Sequence, residues 1–271
     1  MKIIILAMDG LEYELVVSWK LRNLMQTKFG EHLSYKSPRF NKVHTPSLWA
    51  SFITGKSLEE HGIDEWWSWN SFFDWIRKKP PLIWIKNKRK ILEKLGVKPK
   101  PALKNKADRP ETIFDVIKPS IGIDVPTWSL DTEARDWIGK ALSISVEEFI
   151  KRAWFHHEEK KAKLMEALDQ NYRLIMCWFD LPDLIGHIWR RLEMLKCYLE
   201  MDHLVSEVKS RLNREDLLLI VSDHGMKQMI DGTGDHTDYG FWSINMEIPW
   251  FNPKSITDFY SLILCLVGEN P

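Results

Sequence analysis

Asp9 at the end of the opening apolar run, Asp183 and His187 in DLIGH, Asp223 and His224 in SDHG, and His236 in GDHTDYG make up two sets of metal ligands. Carboxylate and neutral imidazole are both good donors to zinc and its neighbours. The residue types therefore fit two divalent cations, Zn²⁺ foremost, with Mn²⁺ or Mg²⁺ as alternatives. Thr45, in VHTPSLWASFITG, stands where a nucleophile would be needed. Two cations roughly 4 Å apart can stabilise the attacking and leaving oxygens of an in-line displacement. The chemistry this predicts is hydrolysis of a phosphoryl ester.

The spacing sharpens the expectation. Asp183 and His187 are four residues apart, so a helix after Phe179 puts both on one face. Asp223 and His224 are adjacent and converge only in a loop. His236 follows a Gly-containing stretch, Asp231 to Asp235, able to fold back over the strand ends. Any single pair could equally be a surface ion pair or a helix cap. Thr45 precedes Pro46, which favours an extended Thr45 and a helix beginning at the proline. Its hydroxyl then lies at a helix N-terminus, where backbone N–H groups and the dipole favour an alkoxide and a bound phosphate. It could also be no more than the N-cap. His61 reads as structural, packing the turn at Gly62. Asp180 reads either as a second partner of a ligating histidine or as the cap of the following helix, and Asp235 invites the same alternatives.

These residues need strand ends to hold them. Ile3 to Met8, Leu174 to Phe179 and Leu217 to Val221 are short continuous apolar runs, the pattern of strands buried on both faces. Helical patterns cover Leu11 to Phe29, Val146 to Asn171 and Trp189 to Leu212. Strands alternating with long helices predict a three-layer α/β/α sandwich around a mostly parallel sheet, whose carboxyl edge gathers the ligands. The 271 residues, 44% of them hydrophobic, suffice for a single catalytic domain spanning 1–271. A Trp- and Lys-rich insertion over 64–110 breaks the pattern.

Thirty-eight basic and 38 acidic residues cancel, so there is no global field to draw nucleic acid or an anionic membrane. Within the insertion, however, twelve lysines and arginines between Arg77 and Lys106 face one acid, Glu93, and are interleaved with tryptophans such as Trp75 and Trp84. That segment could be a lid over an anionic substrate, a membrane-surface or nucleic-acid contact through 64–106, or a solvated face over a Trp core. Cys177, Cys197 and Cys265 show no CxxC spacing and read as core thiols. The opening run is too soon interrupted for a signal peptide, and Tyr260 to Val267 falls short of the ~20 residues of a membrane span, so the expected address is cytoplasmic. Oligomeric state leaves no trace in the sequence.

An early strand ending in Asp, the segment TPSLWASFITGKSLEEHGI, then DLIGH, SDHG and a late His resemble the alkaline phosphatase superfamily, specifically its type I phosphodiesterase and nucleotide pyrophosphatase branch. The resemblance covers residues 1–63 and 174–245. It implies one cation held by Asp9, Thr45, Asp223 and His224 and another by Asp183, His187 and His236. It also implies attack by the threonine and a phosphothreonyl intermediate that water releases. Two departures lie outside the ligands: His44 stands where eukaryotic nucleotide pyrophosphatases have Lys, and Ser57-Leu58 replaces the usual small residue and Pro. A phosphomonoesterase or phosphomutase of the same superfamily is the enzymatic alternative. A phosphate-binding protein without catalysis is the alternative of another class. Sulfatase is disfavoured, since no C/S-x-P-x-R segment is present. Specificity is expected from the insertion and from loops near Trp49 and Trp242.

Overall fold

The computed structural model describes residues 1–68 and 100–269. Its strands are β1 (Ile3–Met8), β2 (Lys28–Leu33), β3 (Lys36–Ser37), β4 (Lys42–Val43), β5 (Trp67–Ser68), β6 (Lys100–Pro101), β7 (Ser120–Ile123), β8 (Leu174–Phe179), β9 (Leu217–Val221), β10 (Met226–Gln228), β11 (Gly234–His236) and β12 (Tyr239–Ile244). Six of them form the main sheet in the order β2-β12-β9-β1-β8-β7. β1 pairs in parallel with β8 on one side and β9 on the other, and β7 extends the parallel part. β12 runs antiparallel to both of its neighbours.

The three central strands are buried along their whole length. Side chains alternate across a strand, so a continuous apolar run means that both faces are covered. Ile3, Ile5 and Ala7 enter one core with Leu48, Trp49 and Phe52 of the helix Thr45–Thr54 and Phe259 and Leu262 of the helix Asp258–Leu266. Ile4, Leu6 and Met8 enter the other, with Ala153 and Leu164 of Val146–Leu168, Ile185 of Leu181–Ile188, and Met201 and Leu204 of Arg191–Lys209. This is the expected three-layer sandwich, with β1 as its middle strand.

Several local expectations need correction. The helix expected over Leu11 to Phe29 is two short helices, Tyr13–Ser18 and Arg22–Met25, followed by β2. Lys20 and Gln26 take φ of 54° and 51°, left-handed values that a continuing helix cannot contain. Cys177 and Cys197 are buried, but Cys265 is exposed, on the outer side of a helix whose Leu262, Ile263 and Leu264 face inward. Trp49 and Trp242 lie buried in the first core, on a helix and a strand rather than on loops.

At the insertion, β5 and β6 pair with each other, and Trp66 and Trp67 pack against the first core. The basic run with Lys86, Lys88, Arg89 and Lys90 lies outside the described residues, and so do the lid, membrane, nucleic-acid and solvated-face readings that rest on it. Among the described residues no helix is long and apolar enough to cross a membrane.

Candidate metal centre

Asp9 directly follows β1, and its N–H donates to Phe179 O at the end of β8 (2.9 Å), so the two strands finish at the same level. The helix Leu181–Ile188 starts one residue after Asp180 and brings Asp183 and His187 onto one face. Gly10 makes this approach possible. It has a φ of 71°, and a Cβ there would lie 2.7 Å from Asp183 Cα. Asp223 and His224 follow β9, and His236 ends β11, which pairs with β10 as a small ribbon folded back over the edge.

All six expected ligands and Thr45 converge. His224 Nε2 lies 3.1 Å from Asp9 Oδ1 and 3.6 Å from Asp223 Oδ2, and Thr45 Oγ1 is 3.4 Å from the same nitrogen. On the other side, Asp183 Oδ1 is 3.3 Å from both His187 Nε2 and His236 Nε2, which are 3.2 Å from each other. Donor atoms bound at about 2.0–2.1 Å around a tetrahedral cation stand roughly 3.3 Å apart. The measured separations are those of coordination-shell edges. Both groups also draw together at His224, whose donor nitrogen lies within 4.8 Å of those of Asp183 and His236 as well as those of Asp9 and Asp223.

The electrostatics point the same way. Asp9 Oδ1, Asp183 Oδ1 and both oxygens of Asp223 are buried without a hydrogen-bond donor. Buried carboxylate oxygens without donors are costly unless a positive charge meets them. Burial, and next the charge of Asp9, push Asp223 well above the carboxylate range. Burial opposes protonation of His224, yet the carboxylates of Asp223 and Asp9 raise it to about 10. The adjacent Asp183 carboxylate raises His187 to about 9. Protons and cations therefore compete for the same atoms, so metal binding should release protons. His187 Nδ1 faces Gly234 O at 3.1 Å and His224 Nδ1 faces Gly225 O at 3.1 Å. A proton on each Nδ1 leaves each Nε2 lone pair turned into the centre. The residues present thus fit two divalent cations.

Other candidates settle differently. Thr45 is the first residue of its helix, and the cap position belongs to His44, extended at φ −138°, ψ 107°. The N–H groups of Ser47 and Leu48 donate to His44 O, and Pro46 has none. What this N-terminus offers an anion is chiefly its dipole. Asp180 is neither a histidine partner nor a side-chain cap: it takes a 2.6 Å hydrogen bond from the buried Lys160 Nζ. Asp235 accepts from the backbone N–H of His236 rather than from its ring. His61 is buried and structural, bonded to Ser51 Oγ and to the N–H of Ile63.

Two further features lie apart from the centre. His157, Glu158 and Glu200 also cluster, but Lys161 Nζ lies 2.9 Å from Glu200 Oε1 and already supplies the positive charge. A cavity of about 610 Å³ runs beside β7, lined by Asp124, His156, Lys160 and Tyr172, and none of the seven site residues lines it. The sequence did not single out Glu12, Asp124 or Lys160, three buried charged residues near the strand ends. Glu12 and Asp124 follow apolar runs, which alone could have flagged them, whereas Lys160 stands mid-helix among charged residues and carries no such signal.

The sequence profile of type I phosphodiesterase / nucleotide pyrophosphatase matches residues 3–240. No curated protein matches the chain. Among solved structures, murine ectonucleotide pyrophosphatase / phosphodiesterase 5 is similar at 18% identity and a TM-score of 0.43, over 84% of this chain and 58% of that one. The inactive form of that protein in complex with AMP is similar at 18% identity and a TM-score of 0.40, with the same coverage. Leishmania mexicana phosphoglycerate mutase at low cobalt concentration is similar at 13% identity and a TM-score of 0.35, over 42% of this chain and 26% of that one. The chain spans little more than half the length of the murine protein.

Proposed function

The chain belongs to the type I phosphodiesterase and nucleotide pyrophosphatase family of the alkaline phosphatase superfamily, and from that we propose that it hydrolyses phosphodiester or nucleotide pyrophosphate bonds in a small-molecule substrate. The observation that carries this reading is the position of the Thr45 hydroxyl, at a helix N-terminus and 3.4 Å from His224 Nε2. A protein that only bound phosphate would be free to lose that hydroxyl.

In this reading Asp9, Asp223, His224 and Thr45 hold one cation, and Asp183, His187 and His236 hold the other, with zinc the first choice. Bound cations would neutralise the phosphoryl oxygens and the leaving oxygen. The chain itself does the rest. Thr45 Oγ bonds to phosphorus as the bond to the leaving oxygen breaks, its proton passing to solvent, and a phosphothreonyl ester remains. Water then adds to that phosphorus, the P–Oγ bond breaks, and the threonine regains its proton. The helix dipole at Thr45 favours the anionic form of the oxygen. A cytoplasmic address stays part of the proposal, and fractionation of cells producing the protein tests it.

A panel of bis-p-nitrophenyl phosphate, p-nitrophenyl phosphate and nucleotide substrates, each with Zn²⁺, Mn²⁺ and Mg²⁺, tests the function. Turnover of the diester or of a nucleotide pyrophosphate supports the reading. Monoester turnover alone would replace it with the phosphomonoesterase alternative. No turnover in any arm would leave a phosphate-binding protein.

A further inference from the structure

Three residues after Asp9, a carboxylate is buried with no lysine or arginine partner among the described residues. That carboxylate belongs to Glu12, which is 3% exposed. Its oxygens are nevertheless engaged. Oε2 accepts from Met226 N–H at 2.9 Å, and Oε1 accepts from the Tyr239 hydroxyl at 2.8 Å and from Glu14 N–H at 3.1 Å. Its own N–H donates to the buried Tyr198 hydroxyl at 2.7 Å.

These contacts join the segments that carry Asp9, Asp223, His224 and His236. Glu12 lies three residues after Asp9. Met226 lies two after His224, and Tyr239 three after His236. Between them, Leu11 N–H donates to Ser222 Oγ at 2.9 Å, and Ser222 Oγ donates to His224 O. Gly225 N–H donates to Tyr239 O at 2.7 Å, and Thr237 N–H donates to Gly225 O at 3.0 Å. The carboxylate fills the space that Gly225 leaves empty: a Cβ at that position would come 2.2 Å from Glu12 Oε2.

We propose that Glu12 is a positioning residue of the metal centre, clamping the strand end that carries Asp9 to the loops that carry His224 and His236 and adding a negative charge beside them. The inference rests on the two-cation reading above. In that reading two dications bring four positive charges, while Asp9, Asp183 and Asp223 supply three negative ones, with the imidazoles neutral. Glu12 supplies the fourth. Burial lifts its carboxyl above the usual range, while the donors from Tyr239, Glu14 and Met226 favour the anion. Shape and charge separate in Glu12→Gln, which keeps the length but turns one acceptor oxygen into an NH₂ that cannot accept from Met226 N–H or the Tyr239 hydroxyl.

The test titrates metal-free protein with Co²⁺, reading the visible absorption of the bound ion alongside calorimetry, for wild type, Glu12→Gln and Tyr239→Phe. Wild type should bind two equivalents. If it binds none, the two-cation reading fails, whatever Glu12 does. With wild type loaded, Glu12→Gln should weaken the tighter site by roughly 10- to 100-fold and alter its absorption band, the usual effect of losing an outer-shell partner. Its kcat should fall more than its KM rises, because no substrate contact is removed. Tyr239→Phe, which removes one donor to the same oxygen, should weaken that site in the same direction by less, and it serves as the readout if Glu12→Gln does not fold. Unchanged Co²⁺ affinity and spectrum in the folded variants would overturn the proposal.

Discussion

Gly10→Ala tests whether the two halves of the centre are held in register by close packing of backbone. Gly10 has a φ of 71°, which costs an alanine about 1–2 kcal/mol. The new Cβ would also stand 2.7 Å from Asp183 Cα and 2.9 Å from Asp183 N, both backbone atoms that no rotamer change can move. Ordinary carbon contacts begin near 3.5 Å, so the helix Leu181–Ile188 must retreat by about 0.8 Å, and such overpacking typically costs 1–3 kcal/mol. The sum, roughly 2–5 kcal/mol, is a large part of the ~5–15 kcal/mol that holds a domain folded. It should lower the melting temperature by roughly 5–15 °C. The same retreat carries Asp183 and His187 together away from His236, now 3.3 Å from Asp183 Oδ1 and 3.2 Å from His187 Nε2. Metal bonds tolerate only about 0.2 Å of displacement, so the half-site at Asp183 should lose its cation first. Urea unfolding of the metal-free variant measures the first effect, and metal stoichiometry by elemental analysis measures the second. A variant within 1 kcal/mol of wild type that still binds two equivalents would refute the reasoning, since strain and displacement would both be missing.

Thr45→Ala should lower kcat towards a diester by several orders of magnitude while leaving the cation at Asp183, His187 and His236 bound, and Thr45→Ser should restore part of the rate; near wild-type turnover in Thr45→Ala would make water the direct nucleophile. Asp124 gives a pH prediction away from the metal. Burial would raise its carboxyl, but Lys160, 3.0 Å away, and His156 hold it down at about 2. A depressed carboxyl contributes stability above its unfolded pKa, here about 2 kcal/mol, and that contribution is lost as pH falls from about 4 through 2. Asp124→Asn should be less stable at pH 7 and lose less on acidification, as read by denaturant midpoints across that window; parallel pH profiles would sink the assignment.

How much of this was legible in the sequence depended on how many faces of an element are buried. β1, β8 and β9 are covered on both sides, so their apolar runs mark their ends to the residue. β2 is an edge strand with alternating exposure, and its sequence KFGEHL carries too little apolar signal to separate it from the helical pattern before it. The left-handed turns at Lys20 and Gln26 have no glycine to announce them. The candidate ligands were readable because Asp9, Asp223 and His224 follow apolar strands, Asp183 and His187 keep helical spacing, and the chemistry of all six is fixed by residue type. The group proposed to hold those ligands in place was not readable. Glu12 reaches Met226 and Tyr239 across 214 and 227 residues. Lys160, which holds Asp180 rather than a ligand, was equally hidden in the middle of a long helix. A donor set is a property of residue types, and its spacing survives in the chain. The shell that orients it is a property of tertiary contact, and a buried Glu or Lys looks in sequence like the exposed ones around it until the fold shows which has lost its water.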